Sequence, residues 1–131
     1  MKRRVVITGL GPIACCGAGR DAFWRAIHAG RSGIGPVTCF DPSPFHARCA
    51  GEVRDWDPAD VFPPHRLKRL DRASQFAVAS ALLALEDARF PWSRGKPQPR
   101  VGVSFGSALG GIAQAESEHI RFLKKGPHGV N

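Results

Sequence analysis

Four cysteines and five histidines carry the nucleophilic and metal-binding chemistry of this 131-residue chain: Cys15, Cys16, Cys39 and Cys49, with His28, His46, His65, His119 and His128. No C-x-x-C pair occurs, and two adjacent thiols such as Cys15 and Cys16 rarely chelate one ion together. A zinc site built from Cys39, His46 and Cys49 fits no structural-zinc spacing. No cysteine has a sequence neighbour that marks it as a nucleophile. The expectation is four reduced thiols in a cytoplasmic protein, with no metal.

Glycine runs are the second kind of candidate. Gly9-Leu10-Gly11-Pro12-Ile13-Ala14 satisfies a loose G-x-G-x-x-A pattern. That fingerprint holds a pyrophosphate only when a helix opens directly at the glycines, so that its first amides face the ligand. Here Pro12 and Cys15-Cys16-Gly17-Ala18-Gly19 intervene, and no strand ending in an acid follows about 20 residues on. The glycines read instead as the tight exit of a strand. Gly106-Ser107-Ala108-Leu109-Gly110-Gly111 lacks the Lys and the Ser/Thr of a phosphate-binding loop.

These residues must be positioned by an alternation of strands and helices. Val5 to Thr8 is a short β-branched run of the kind found in buried, often parallel, strands. Asp21 to Ala29 is predicted to be a helix with Phe23, Trp24 and Ile27 on one side and Gly30 as its stop. Gly33 to Asp57 reads as loops with extended pieces near Val37-Thr38 and Ala50 to Val53. Pro63-Pro64 introduces a basic turn, and Asp71 is the predicted N-cap of a helix reaching about Arg89. Between Phe76 and Leu85 only Ser80 is polar, so that helix requires cover on several sides. Val101 to Phe105 is a second buried-strand candidate, and a helix is predicted from Ile112 to Lys125. The pattern indicates an α/β domain with a mostly parallel sheet, short of strands.

Composition narrows the partners. Hydrophobic residues at 43% and charged residues at 23% are those of a globular chain rather than a disordered one. No run approaches the roughly 18 apolar residues of a membrane helix. The basic start Met1-Lys2-Arg3-Arg4 and the apolar run after it imitate an export signal, but Gly9, Gly11 and Pro12 break the helix such a signal needs. A net charge of +8 calls for an anionic partner. The charges are dispersed, are not interleaved with aromatics and match no nucleic-acid-binding motif, which disfavours a small basic nucleic-acid-binding protein.

Several ordered motifs resemble the β-ketoacyl-acyl-carrier-protein synthases, the type II condensing enzymes of the thiolase superfamily. They are Arg3 to Gly11, Phe23 to Ile34, Phe40-Asp41, Ala50 to Val53 and Lys68 to Arg72 with Gln75-Phe76-Ala77. The series continues with Ala84 to Ala88, Arg100 to Val103, Gly106 to Gly111 and Lys125-Gly126-Pro127. Together they cover nearly the whole chain. Two departures stand out. Ala14-Cys15-Cys16 replaces the family's Ser-Pro and small polar stretch, and His128 alone represents the basic residues after Gly126-Pro127.

The resemblance implies the amino-terminal part of a thiolase-like layered αβαβα fold, incomplete over residues 1–131. It implies a decarboxylative Claisen condensation of malonyl-carrier with an acyl chain, in fatty acid or polyketide synthesis. In that scheme a cysteine thiolate takes the acyl group and two histidines act on the malonyl unit. No cysteine or histidine here lies in those motifs, so the chain is expected to hold no catalytic residue, to end before the nucleophile and to be inactive alone. No metal or dissociable cofactor is required. Leu109 is the candidate lining of the acyl channel, with a plain core role as its alternative. Arg66, Lys68, Arg69 and Arg72 are the candidate docking cluster for an acidic acyl carrier protein. A homodimer is implied for the full-length enzyme, with no membrane or nucleic-acid partner. A non-catalytic homologue similar to the chain-length factors is the alternative, and the isolated portion is expected to be poorly soluble.

Overall fold

A computed structural model of the protein describes residues 3–93 and 95–130. The chain divides into two compact units, one of residues 1–57 and 79–98, the other of 58–78 and 99–131. The predicted Met1-Lys2 opening and the terminal Asn131 lie outside the described residues.

In the first unit, strands β1 (Ile13–Ala14) and β2 (Gly17–Ala18) form an antiparallel hairpin whose register pairs Ala14 with Gly17. Helix α1 (Arg20–His28) follows, and its Ala26 is fully buried. The predicted stop at Gly30 is realised in detail. Gly30 takes φ +63°, its amide donates to Ile27, and the Arg31 amide reaches back to the Ala26 carbonyl. These are the two bonds of a Schellman termination, which requires the left-handed residue that glycine supplies without strain.

Strands β3 (Gly35–Pro36) and β4 (Cys49–Ala50) make a second antiparallel pair, close to the extended pieces expected there. Glu52 ties this loop region together. Its Oε1 accepts the Thr38 and Cys39 amides at 2.8 and 3.2 Å, and its Oε2 accepts the Thr38 hydroxyl at 2.6 Å and Arg54 at 2.9 Å. The Thr38 hydroxyl and amide hold the Glu52 carboxyl well below the usual range.

In the second unit, a 3-10 turn (Pro58–Asp60) leads past buried Phe62 to helix α2 (Pro64–Leu67). Proline fits the first helical position because that N–H has no intrahelical partner anyway. Helix α3 (Arg72–Asp87) begins as predicted, with the Ser74 amide donating to Asp71 Oδ1 at 2.9 Å. Residues 72–78 of α3 belong to the second unit and residues 79–87 to the first. Helix α4 (Ile112–Lys125) has the predicted bounds and ends at Gly126, φ +69°.

In the first unit, the segment around Gly9 and Gly11 runs along α3. A Cβ at Gly9 would strike the Ala84 carbonyl and approach the Ala88 Cβ to 2.8 Å; one at Gly11 would strike the Ser80 carbonyl. Ser80, Ala84 and Ala88 are spaced four apart, so a stripe of small side chains receives a backbone without side chains. The expectation of a tight glycine passage is met here by packing on a helix rather than by a strand exit.

Three expectations are corrected. Neither Val5–Thr8 nor Val101–Phe105 forms a strand, and the sheets among the described residues are two antiparallel pairs, not a parallel sheet. Val5 and Ile7 are 95% and 82% exposed, and Val103 is 90% exposed. A parallel strand exists only through pairing at its edges and cover on its faces, and neither segment has a ladder partner here. Helix α3 is covered only in part, as its apolar stretch would be in a portion of a larger layered fold. Ala79 is fully buried, yet Val78 and Ala81 are exposed and most of their neighbours half-buried.

Candidate functional site

The basic cluster is assembled by two short-range folding events. The Arg66 carbonyl accepts the amides of Arg69 and Leu70 at 2.9 and 3.1 Å, which turns the chain just after α2. Asp71 then caps α3, accepting the Ser74 amide and the Ser74 hydroxyl at 2.9 and 2.8 Å. The amide of Ser74 above all holds the Asp71 carboxyl below the usual aspartate range, so it stays ionised beside the cations. Gln75, buried in the first turn, donates to the Leu70 carbonyl at 2.9 Å and fixes the approach to the helix.

Arg66, Lys68, Arg69 and Arg72 are all exposed. The Arg72 guanidinium lies 4.5 Å from the centroid of the Phe76 ring, a cation–π contact along its own helix. Lys68 and Arg72 line a groove of about 380 Å³ within the second unit, whose other wall is α4 through Ala113, Gln114, Ser117 and Arg121. Arg66 and Arg69 do not line it. Arg121 was absent from the sequence-predicted cluster, because it is about 50 residues away along the chain. Its signal was the four-residue spacing of Ala113, Ser117 and Arg121, which places them on one helix face. Arg121 donates to Glu118 at 2.7 Å, so the groove wall is a braced ion pair.

Leu109 stands in the glycine loop that precedes α4. The Ser107 hydroxyl accepts the Gly110 amide at 2.8 Å and closes the loop on itself, while Gly110 takes φ +51°. Leu109 is 73% exposed. Gly111 passes so close to Asp71 that a Cβ there would lie 2.8 Å from its carboxylate.

All four cysteines are free, Cys15 and Cys16 half-buried and Cys39 and Cys49 exposed. The hydrogen bond with Glu52 pushes the Cys39 thiol up, opposite to what a reactive thiolate needs. Among the described residues no three of His, Cys, Asp and Glu gather as a metal-holding group. No helix is long and apolar enough among them to cross a membrane.

Comparison with known proteins places these features. The model of the β-ketoacyl synthase N-terminal domain matches residues 2–128. The chain is 42% identical over 130 residues to a 3-oxoacyl-[acyl-carrier-protein] synthase 2 of Coxiella burnetii, covering 99% of this chain and 31% of that protein. It is 39% identical over 126 residues to the tetracenomycin polyketide synthase ketoacyl synthase alpha subunit of Streptomyces glaucescens, covering 95% and 29% respectively. Among solved structures it is similar to the ishigamide ketosynthase/chain length factor, with TM-score 0.76 and 31% identity over 100% of this chain and 32% of that one. The chain thus spans about three-tenths of the length of the relatives it matches.

Proposed function

The chain belongs to the β-ketoacyl synthase family through its amino-terminal domain, and we propose that the protein carrying it is a 3-oxoacyl-[acyl-carrier-protein] synthase. The reaction is the decarboxylative condensation of a malonyl unit with an acyl chain, both delivered on an acyl carrier protein, in fatty acid or polyketide synthesis. The observation that carries this reading is the match of the β-ketoacyl synthase N-terminal domain to residues 2–128.

In this reading residues 1–131 supply no nucleophile and no general base, and alone they are inactive. Their part is to receive the carrier and shape the acyl path. The exposed cations at Arg66, Lys68, Arg69 and Arg72 offer an acidic carrier a complementary face, which raises its encounter rate. Leu109, held out on its closed loop, meets the acyl chain. The working enzyme is a homodimer in the cytoplasm, and the scheme requires no metal or dissociable cofactor.

The test is a chimera. Residues 2–128 replace the matching segment of a 3-oxoacyl-[acyl-carrier-protein] synthase 2, and malonyl-carrier-dependent condensation is measured. Condensation at a rate within about tenfold of the parent is expected; a folded chimera without it would defeat the proposal. Similarity to the ishigamide ketosynthase/chain length factor favours a second reading as a non-catalytic partner. Acylation of the protein carrying this chain by acyl-carrier, read by intact mass, separates the two, because only a synthase takes up the acyl group.

A further inference from the structure

Cys15 and Cys16 are adjacent in sequence and are the two loop residues of the β1–β2 hairpin, since Ala14 pairs with Gly17. Both are free and half-buried. Both line one cavity of about 330 Å³ in the first unit, with Arg31, Ser32, Glu52 and Arg54 among the other walls. The Cys15 sulfur fits only because its neighbours are glycines. A Cβ added at Gly33 or Gly51 would come within 2.7 or 2.8 Å of Sγ.

We propose that Cys15 and Cys16 form a vicinal dithiol site that takes trivalent organoarsenicals. The chemistry favours that class over a metal ion. Structural zinc needs four ligands, and among the described residues no third titratable ligand joins the two thiols as a metal-holding group. Trivalent arsenic already bears an organic group and needs only two further soft donors, which two thiols supply. With an aryl arsenoxide the As=O bond breaks and two As–S bonds form. The two thiol protons leave with the oxygen as water, and arsenic remains trivalent throughout. The cavity accommodates the organic group, and the two-residue loop keeps both sulfurs on one short span of backbone.

The test incubates the protein carrying this chain with phenylarsine oxide, washes it with 2-mercaptoethanol, and reads intact mass. One phenylarsenic group per chain is expected to survive that wash and to be removed by 2,3-dimercaptopropanol. Cys15→Ser and Cys16→Ser, each with one thiol left, are expected to hold the group about a hundredfold more weakly, as loss of a second tethered contact dictates. The double variant Cys39→Ser/Cys49→Ser is expected to retain it. Retention by either single variant, or its loss in the double variant, overturns the site, and proteolytic mapping of the adduct to the segment holding Cys15 and Cys16 provides the second readout.

Discussion

Asp87, the last residue of α3, accepts the backbone amide of Leu10 at 2.9 Å through Oδ2, across 77 residues of chain. Its other oxygen accepts Arg20, which also pairs with Asp21 at 2.9 Å. One carboxylate thereby joins the extended segment after Gly9, the start of α1 and the end of α3. Asp87→Ala is expected to destabilise the chain by about 1–2 kcal/mol, as loss of a charge-assisted hydrogen bond does. Arg20→Ala should cost less, because the Leu10 bond remains. Denaturant melts of the two variants decide it; equal effects would mean that the Leu10 bond contributes nothing.

Glycine packing makes a sharper contrast. Gly11→Ala puts a methyl group against the Ser80 carbonyl and is expected to cost about 1–3 kcal/mol through overpacking. Gly102 has nothing within 4 Å of a built Cβ, and its φ is not positive. Gly102→Ala should therefore be near neutral in the same melt.

Helix α3 ends with a strained residue. Arg89 has φ +49°, its amide donates to Glu86, and the Phe90 amide returns to Leu85. This is the Schellman pattern with arginine where glycine is preferred, and a left-handed residue with a Cβ costs about 1–2 kcal/mol. Arg89→Gly is expected to raise stability by about 1 kcal/mol, less the entropy glycine adds to the unfolded chain. A lowered melting temperature would refute the assignment of strain.

Acid should loosen both units. The carboxyls of Asp71 and Glu52 are held below their ordinary values, chiefly by Ser74 and by Thr38. A depressed folded-state pKa contributes stability that is fully present above the unfolded value and is lost as pH falls through the folded one. The loss is therefore expected below about pH 4, the ordinary range of Asp and Glu. Asp71→Ala removes part of that acid sensitivity and the helix cap, costing about 1 kcal/mol at neutral pH. Melts at pH 7 and pH 3 measure both effects.

Charge reversal tests the docking surface in the complete protein. Lys68→Glu with Arg69→Glu is expected to raise KM for carrier-bound substrate about tenfold at low salt, with the effect shrinking as salt screens it. Turnover of a carrier-free acyl-thioester should be unchanged. Unaltered turnover on carrier-bound substrate rejects the role.

Local physics made much of this chain legible from its residues. Asp71 as a cap, Gly30 as a stop and the bounds of α4 depend on interactions within a few positions, and each is found where expected. The ordered motifs along residues 2–128 likewise carried the family, because motif order is a property of the chain itself. The strands were a different matter. Val5–Thr8 and Val101–Phe105 have the side chains of buried strands, but a strand is made by its neighbours, and no ladder partner exists for either among the described residues. The same reason hides Asp87 beneath Leu10, Arg121 beside Lys68 and the two thiols lining one cavity with Arg31 and Arg54. Periodicity reports which face of an element is apolar; which distant backbone or charge meets that face is set by chain packing, and packing leaves no period in the sequence.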